Sequence, residues 1–305
     1  MSPPGRPEGE YRSAQHEGTP MSLALDASVV ARRVRDLPAL PAALTHVLAA
    51  MRREDMRSDR FAELIEHDQA LCGRTLRLAN SAFYGLPGRV GSIDDALRLL
   101  GLRTVANVVT AASLAAYATH TSCTGFDFAV FWRHSIGVSI AARAIGQARG
   151  FDDGQACVAG LLHDAGQLAL ATYFPQAMSA ALALSRTSDC ELLDAERALL
   201  GLDHAEVGGM VARHWCLPEE MVDAIRRHHR PPLPAQAGAT TWLVDTVHLA
   251  DAMVHALDLS RSPDESVPAV SLDSWERLDA GSLDSAQIFA AVETGVQAMC
   301  AALDT

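Results

Sequence analysis

The chain has 305 residues, and its 25 basic and 37 acidic side chains give a formal net charge of −12. Hydrophobic residues make up 49% and charged residues 20%, a balance typical of a folded globular protein. Nucleic-acid binding depends on clustered cationic groups, but the arginines stand in short, interrupted groups, so nucleic acid is not an expected partner. No signal-peptide pattern or apolar run of membrane-spanning length is present, which predicts a cytoplasmic protein without a membrane partner.

The first 122 residues divide into a tail and a first helical unit. Residues 1–22 are rich in Pro, Gly, Glu and Ser, which predicts a disordered tail. Over 23–122, apolar residues recur at helical spacing between capping and breaking residues, which predicts a helical subdomain. The predicted helices of this subdomain begin near Pro41, Ser58, Gln69, Ser92 and Leu102.

A second unit, 123–258, carries the longer helical patterns. Its predicted helices cover about 128–149, 153–173, 175–186, 190–200, 204–216, 218–229 and 240–258. Residues 259–282 are rich in Ser, Asp and Pro and predict a surface connection. The final stretch, about 284–303, predicts an amphipathic helix that either closes the bundle or pairs with a second chain, which keeps a homodimer open. Since no alternating strand pattern competes, the predicted fold class is all-α, a multi-helix bundle.

A loop of the first unit contains two adjacent aromatic residues, Phe83 and Tyr84, between Gly and Pro breakers. Loop aromatics can anchor a protein partner, because aromatic side chains dominate many interfaces. Alternatively, they plug the joint between two subdomains. The sequence favours the second role without excluding the first.

The middle third of the chain is dense in histidine, and several of its histidines stand near aspartates. Neutral imidazoles and carboxylates are ligands that divalent transition metals prefer, and a helical bundle can project them inward from several helices. We therefore predict a site for one or two divalent metal ions, with iron, manganese, zinc and nickel all compatible. The candidate ligands are His134, His163, Asp164, His204, His228, His229 and Asp251.

Taken alone, each candidate histidine can be a satisfied residue of the core. The His163–Asp164 pair argues against this role, because Asp164 ends an apolar run where an aspartate is costly to bury unless it is paired or bound to metal. Asp251 shares a helix face with His248 and can bond that imidazole instead of a metal. His228 and His229 can be surface residues at a helix C-terminus. Without a metal, the whole set can form a hydrogen-bonded core network.

The order of these residues resembles the metal-ligand order of the HD phosphohydrolase superfamily. His134, the His163–Asp164 pair and Asp251 follow that order, and the remaining histidines match those of its two-metal branches. Over about residues 30–258 the chain more closely resembles the HDOD (HD-related output domain) family. The motifs that carry this resemblance are Leu37-Pro38 with Leu40-Pro41, Ile65-Glu66-His67-Asp68, the stretch from Leu78 to Tyr84, Ser92-Ile93 through Leu100-Gly101, Phe131-Trp132-Arg133-His134-Ser135, Gly160-Leu161-Leu162-His163-Asp164, His204-Ala205-Glu206-Val207-Gly208, Trp215-Cys216-Leu217-Pro218 and His228-His229.

This resemblance implies a regulatory module of bacterial signalling, in which an N-terminal helical subdomain packs on an HD-like helical subdomain. Members of the family are generally not regarded as active hydrolases. The resemblance implies a stand-alone version whose function depends on a signalling protein partner or a ligand.

The alternative is a metal-dependent phosphohydrolase that acts on nucleotides or cyclic dinucleotides. The complete ligand set favours this alternative, because two metals can activate water and hold a phosphoryl group. Against it, the place where cyclic-dinucleotide hydrolases of this superfamily commonly carry a lysine is occupied by Gln167. An amide cannot offset phosphate charge as an ammonium does. The stretch after His229 also lacks the Gly-Tyr-Pro element of those hydrolases, so the sequence favours the binding module.

Overall fold

The computed structural model of the chain describes residues 23–37, 58–66, 69–81, 84–86, 88–115, 122–259 and 266–303. All regular secondary structure in these ranges is helical, which confirms the all-α prediction. The predicted tail and the helix predicted after Pro41 lie outside the described residues.

Fifteen α-helices occur in the part of the chain that the structure describes, joined by turns and short 3-10 segments. In chain order they are α1 (Ala27–Val34), α2 (Ser58–Glu66), α3 (Gln69–Ala79), α4 (Ile93–Leu100), α5 (Leu102–Ala115), α6 (Phe128–Arg149), α7 (Asp153–Leu162), α8 (Ala165–Tyr173), α9 (Pro175–Ser188), α10 (Leu192–Leu200), α11 (His204–His214), α12 (Glu219–Arg227), α13 (Thr241–Ala256), α14 (Leu272–Arg277) and α15 (Ser285–Leu303).

One prediction about these elements was wrong, and the structure adds short elements to a second region. The single helix predicted over 153–173 is divided into α7 and α8 by a break at His163 and Asp164. The predicted surface connection, 259–282, contains the helix α14 and a 3-10 turn, because α14 is held by polar contacts that hydrophobic periodicity does not register.

The centre of the bundle is α6, a helix of 22 residues that packs against α7, α13 and α15. Neighbours on several sides require a helix with apolar residues around most of its circumference, and α6 buries Phe131, Ile136, Ile140 and Ile145 among others. Asp127 caps its first turn, since its carboxylate accepts the N–H groups of the second and third residues. This central position matters because α6 carries the candidate ligand His134.

The C-terminal helix α15 closes the bundle. It packs against α6 and also against α3 of the first unit, and it buries Ile288, Val292, Val296 and Met299. The amphipathic pattern of α15 left two roles open, and the structure shows one of them, which is packing within the chain. Among the described helices, none alone has the length and apolar character needed to cross a membrane. The segments Asp153–Tyr173 and Pro175–Ser188 have that length and apolar composition only when they are taken together, and the chain bends by 118° between them.

Tyr84 packs against the main hydrophobic core, and burial raises the pKa of its phenol. This placement favours the plug role for Tyr84. Phe83 lies outside the described residues.

Candidate metal centre

The break between α7 and α8 is what presents His163 and Asp164 together. Adjacent residues of a continuous helix point about 100° apart, so an unbroken helix would direct the two side chains to different surroundings. Here α7 ends at Leu162, and the two residues form a turn before α8 begins at Ala165.

Gly166 brings this turn against the start of α11. A Cβ atom at position 166 would stand 1.8 Å from the carbonyl oxygen of His204 and 2.6 Å from the amide nitrogen of Gly208. No side chain larger than hydrogen fits at that separation. The approach of the two backbones therefore places Asp164 beside His204.

Three of the seven candidate ligands form a first cluster, which we call the His134 group: His134 from α6, His163 from the turn, and Asp251 from α13. The Nε2 atom of His134 lies 3.1 Å from Nε2 of His163 and 3.0 Å from Oδ1 of Asp251. All three side chains are buried, and their ligand atoms lie within 4.8 Å of one another.

The other four candidates form the His204 group: Asp164, His204, His228 and His229. His204 begins α11, and the two adjacent histidines occupy the turn that follows α12. Oδ1 of Asp164 lies 3.3 Å from Nε2 of His204 and 3.6 Å from Nε2 of His228. His204 and His229 approach to 2.9 Å through their Nε2 atoms. The ligand atoms of this group also lie within 4.8 Å of one another.

Asp164 joins the two groups. Its Oδ1 faces the His204 group, whereas its Oδ2 lies 3.3 Å from Nε2 of His163 and 3.8 Å from Nε2 of His134. All seven residues singled out in the sequence therefore meet in one place, as two clusters that share a carboxylate. A carboxylate in this position can bridge two cations.

The predicted alternative in which Asp251 bonds His248 is wrong. Nδ1 of His248 instead donates to the carbonyl oxygen of His228 at 2.6 Å, and its Nε2 accepts the backbone N–H of Ser271 at 2.9 Å. His228 and His229 are not free surface residues either, since His228 is fully buried and His229 is half-buried.

Hydrogen bonds outside the clusters orient the imidazoles. Nδ1 of His163 donates to the Gly160 carbonyl at 2.8 Å, and Nδ1 of His228 donates to the Ile225 carbonyl at 2.7 Å. In the tautomer that donates from Nδ1, Nε2 carries the lone pair, and in both rings Nε2 points into the site. Such outer hydrogen bonds are typical of histidines that bind metal.

Two further residues that contact the candidate ligands were missed by the sequence analysis. Glu196 of α10 is fully buried, and its Oε2 accepts both the backbone N–H and Nδ1–H of His204 at 2.7 Å. His255 lies one turn after Asp251, with its Nε2 3.3 Å from Oδ1 of that aspartate. The spacing of four residues could have revealed His255. No local pattern distinguishes Glu196 from a glutamate on a solvated helix face.

The electrostatics of the site favour ionised carboxylates. Burial alone would raise the pKa of Asp164, but His163 and His204 hold it well below its usual value. Burial has the same effect on Asp251, and there His255 and His134 outweigh it. The site thus keeps two buried negative charges, which require cations beside them.

The pKa values of His204 and His229 are shifted in opposite directions. Burial disfavours the charged form of His204, but Glu196 and Asp164 outweigh burial and raise its pKa to about 9. Burial and the neighbouring His228 instead hold the pKa of His229 well below its usual value. His204 is therefore a cation at neutral pH when no other positive charge occupies the site, whereas His229 is neutral.

The chemistry of the donor set fits divalent cations. Oδ1 of Asp164 and both carboxylate oxygens of Asp251 are buried, and histidine nitrogens are their polar neighbours. Nitrogen and oxygen atoms converging at these distances are the donors that divalent metals use. Either group could hold a metal ion.

A cavity of about 570 Å³ opens over the two groups. Its floor includes His134, Asp164, His204, His229 and Asp251, and its walls include apolar side chains from the start of α6, from α9 and from α10. Gln167 also lines it, and Nε2 of Gln167 donates to Oδ2 of Asp164 at 2.8 Å. The side chain at position 167 is therefore an amide that binds a candidate metal ligand.

Two solved structures are similar to this chain in both sequence and fold. An HDOD domain protein of unknown function from Geobacter sulfurreducens is 26% identical, has a TM-score of 0.75 and aligns over 92% of this chain and 98% of that chain. A protein from Shewanella amazonensis SB2B, provisionally named a phosphohydrolase, is 27% identical, has a TM-score of 0.70 and aligns over 90% of this chain and 98% of that chain.

A curated protein of Treponema pallidum (strain Nichols), described only as uncharacterized, is 28% identical over 258 residues. The aligned region is 83% of this chain and 48% of the relative, so this chain spans about half the length of that protein. The HDOD domain model matches residues 37–231. That match extends over more than half of the sequence, and the chain therefore belongs to the HDOD domain family.

Proposed function

We propose that this protein is a regulatory signalling module that holds divalent metal ions in the His134 and His204 groups and acts through contacts with a protein or ligand. The observation that carries the proposal is the bond between Gln167 and Asp164. It places a neutral amide, already hydrogen-bonded to a ligand carboxylate, where the cyclic-dinucleotide hydrolases that the sequence resembles commonly carry a lysine.

The side chains around the site have defined roles in this proposal. Gly160, Ile225 and Glu196 accept the Nδ1 protons of three histidines and so direct their Nε2 atoms inward. Gln167 orients Asp164 between the two groups. Bound divalent cations would balance the buried carboxylates and, with a suitable substrate, would lower the pKa of a water molecule.

A metal-dependent phosphohydrolase is the second candidate, because a cavity opens directly over a complete two-group ligand set. The provisional name of the Shewanella amazonensis relative supports the same candidate. Arg186 at the cavity wall could supply a positive charge, although it is exposed and donates to the Gly125 carbonyl. For either candidate we propose a cytoplasmic location, which the six free cysteines support.

The test compares metal content with turnover. Protein purified without added metal is analysed by mass spectrometry of the elements and assayed against cyclic dinucleotides and a generic phosphodiester. We expect bound metal without turnover, and metal loss in His163→Ala. The matched control is His214→Ala, since His214 lies outside both ligand groups and its Nε2 is 3.3 Å from the Leu37 carbonyl. Turnover that His163→Ala abolishes would establish the hydrolase, and protein free of metal would reject the metal site.

A further inference from the structure

The short helix α14 turns polar side chains toward the protein interior and apolar side chains toward the solvent. Its polar residues Ser274 and Arg277 face inward, where both bind the fully buried Asp245 of α13 at 2.7 Å. Its apolar residues Leu272 and Trp275, three positions apart on one face, are 77% and 41% exposed. A surface helix ordinarily buries its apolar face, so the outward face of α14 is suited to something other than water.

The residues just before α14 extend this exposed apolar surface. Val267 is 56% exposed and Val270 is 36% exposed. Seven large hydrophobic side chains are exposed among the described residues, and four of them fall between positions 267 and 275. We call these four side chains the 267–275 patch. Single exposed apolar residues are common on protein surfaces, but grouped ones mark interaction sites.

Polar contacts hold the patch in its outward orientation. The Asp245–Arg277 ion pair fixes α14 on α13, and the backbone N–H of Ser271 binds His248. Beyond α14, Arg149 donates to the carbonyl oxygen of Asp279 at 2.6 Å and to the hydroxyl of Ser282 at 2.7 Å. A surface that is already ordered loses less entropy when it binds a partner.

Acidic side chains border the patch. Asp273 and Glu276 lie on α14 itself, and the exposed Asp279 follows it, with its carboxylate 3.3 Å from Arg149. Arg277 is paired with Asp245, and the exposed Glu276 leaves the border of the patch acidic. In a two-fold dimer through this surface the same acidic rim would face itself, and an anionic membrane would meet the same repulsion. The charge therefore favours a cationic occupant.

We propose that the 267–275 patch is a docking surface for a basic amphipathic segment of a partner protein. The inference deepens the proposed contact function and rests on it. The patch is also connected to the candidate metal centre, since Ser266 and Pro268 line the cavity and His248 links Ser271 to the carbonyl of His228.

The test uses a labelled helical model peptide built from Leu and Lys, and a matched peptide built from Leu and Glu. Binding to the full chain is measured by fluorescence anisotropy. We expect the Leu/Lys peptide to bind, and Leu272→Ser with Trp275→Ser to weaken its binding by about tenfold or more. Leu99→Ser is the control, because Leu99 is 45% exposed and lies outside the patch. Glu276→Lys should weaken binding without removing any apolar area.

Three results would overturn the inference: equal binding of both peptides, equal binding by the double variant, or a concentration-dependent dimer that the double variant dissociates. Thermal melting of each variant checks folding. Metal content is measured on the same samples, so the two proposals can fail separately. Patch-dependent peptide binding in protein without metal would reject the metal site and keep the docking surface.

Discussion

The two ligand groups differ in how the chain supports them. The His134 group is drawn from three separate segments and is buried throughout, and Oδ1 of its Asp251 lies 3.0 Å from Nε2 of His134 and 3.3 Å from Nε2 of His255. The His204 group also comes from three segments, namely the turn that holds Asp164, the start of α11 and the turn after α12. It includes His229 with 17% side-chain exposure, and its His204 is backed by the carboxylate of Glu196. The His204 group thus has a buried carboxylate behind one of its ligands, whereas the His134 group has a neutral carbonyl, that of Gly160, behind His163, and we expect their metal affinities to differ.

The largest expected effect comes from the residue that the two groups share. Asp164→Ala should remove metal from both groups, because Oδ1 and Oδ2 of Asp164 face different clusters. Asp251→Ala should empty only the His134 group. Metal content per chain, measured by elemental mass spectrometry, should therefore fall to near zero in the first variant and by half in the second. Equal losses in the two variants would show that the groups do not bind separately.

A smaller effect is expected from the support behind His204. Glu196→Gln keeps the size of the side chain but removes the charge that favours a basic imidazole. Outer-shell changes of this kind typically lower metal affinity by roughly 10- to 100-fold. Calorimetric titration should show weakened binding at one site of two. If the variant weakens both sites alike, the distinction between the groups fails.

The smallest expected effect is on the pH dependence of the free energy of unfolding of the metal-free protein. The pKa of His204 is raised to about 9 in the folded chain, from about 6.5 in an unfolded one, so its contribution to stability is complete below about pH 6.5 and is lost as pH rises through about 9. The free energy of unfolding should fall by about 3 kcal/mol over that range because of this group.

Denaturation of chelator-treated protein, compared with Glu196→Gln, isolates this contribution. The variant should show a flatter profile between pH 6.5 and 9. Metal affinity should follow the opposite trend and rise with pH, because a bound ion displaces the proton from His204. Identical profiles for the two proteins would show that Glu196 does not control His204.

Much of the fold could be predicted from the sequence, because the helix propensity of alanine and leucine and the helical spacing of apolar residues are local properties. The ends of α6 and α15 agree with the predicted ones within one residue. The break at His163 was not predictable in this way. Its surroundings continue an apolar helical pattern without proline, and the contact that accompanies the break involves α11, about 40 residues further along the chain.

The candidate ligands were predictable as a set through their order in the chain, but their division into two groups was not. His163 and Asp164 are adjacent in sequence, yet the carboxylate of Asp164 reaches both clusters. Glu196 acts through a fold contact without a sequence motif. The helix α14 was missed because periodicity assumes that apolar residues face inward, and in α14 they face outward.

The contact at Gly166 sets the separation of Asp164 and His204 by main-chain atoms alone. Repacking of the surrounding core with larger or smaller side chains cannot easily widen or narrow that gap, because no side chain lies within it. Substitutions elsewhere in the interior should consequently lower thermal stability well before they change the spacing of these two candidate ligands.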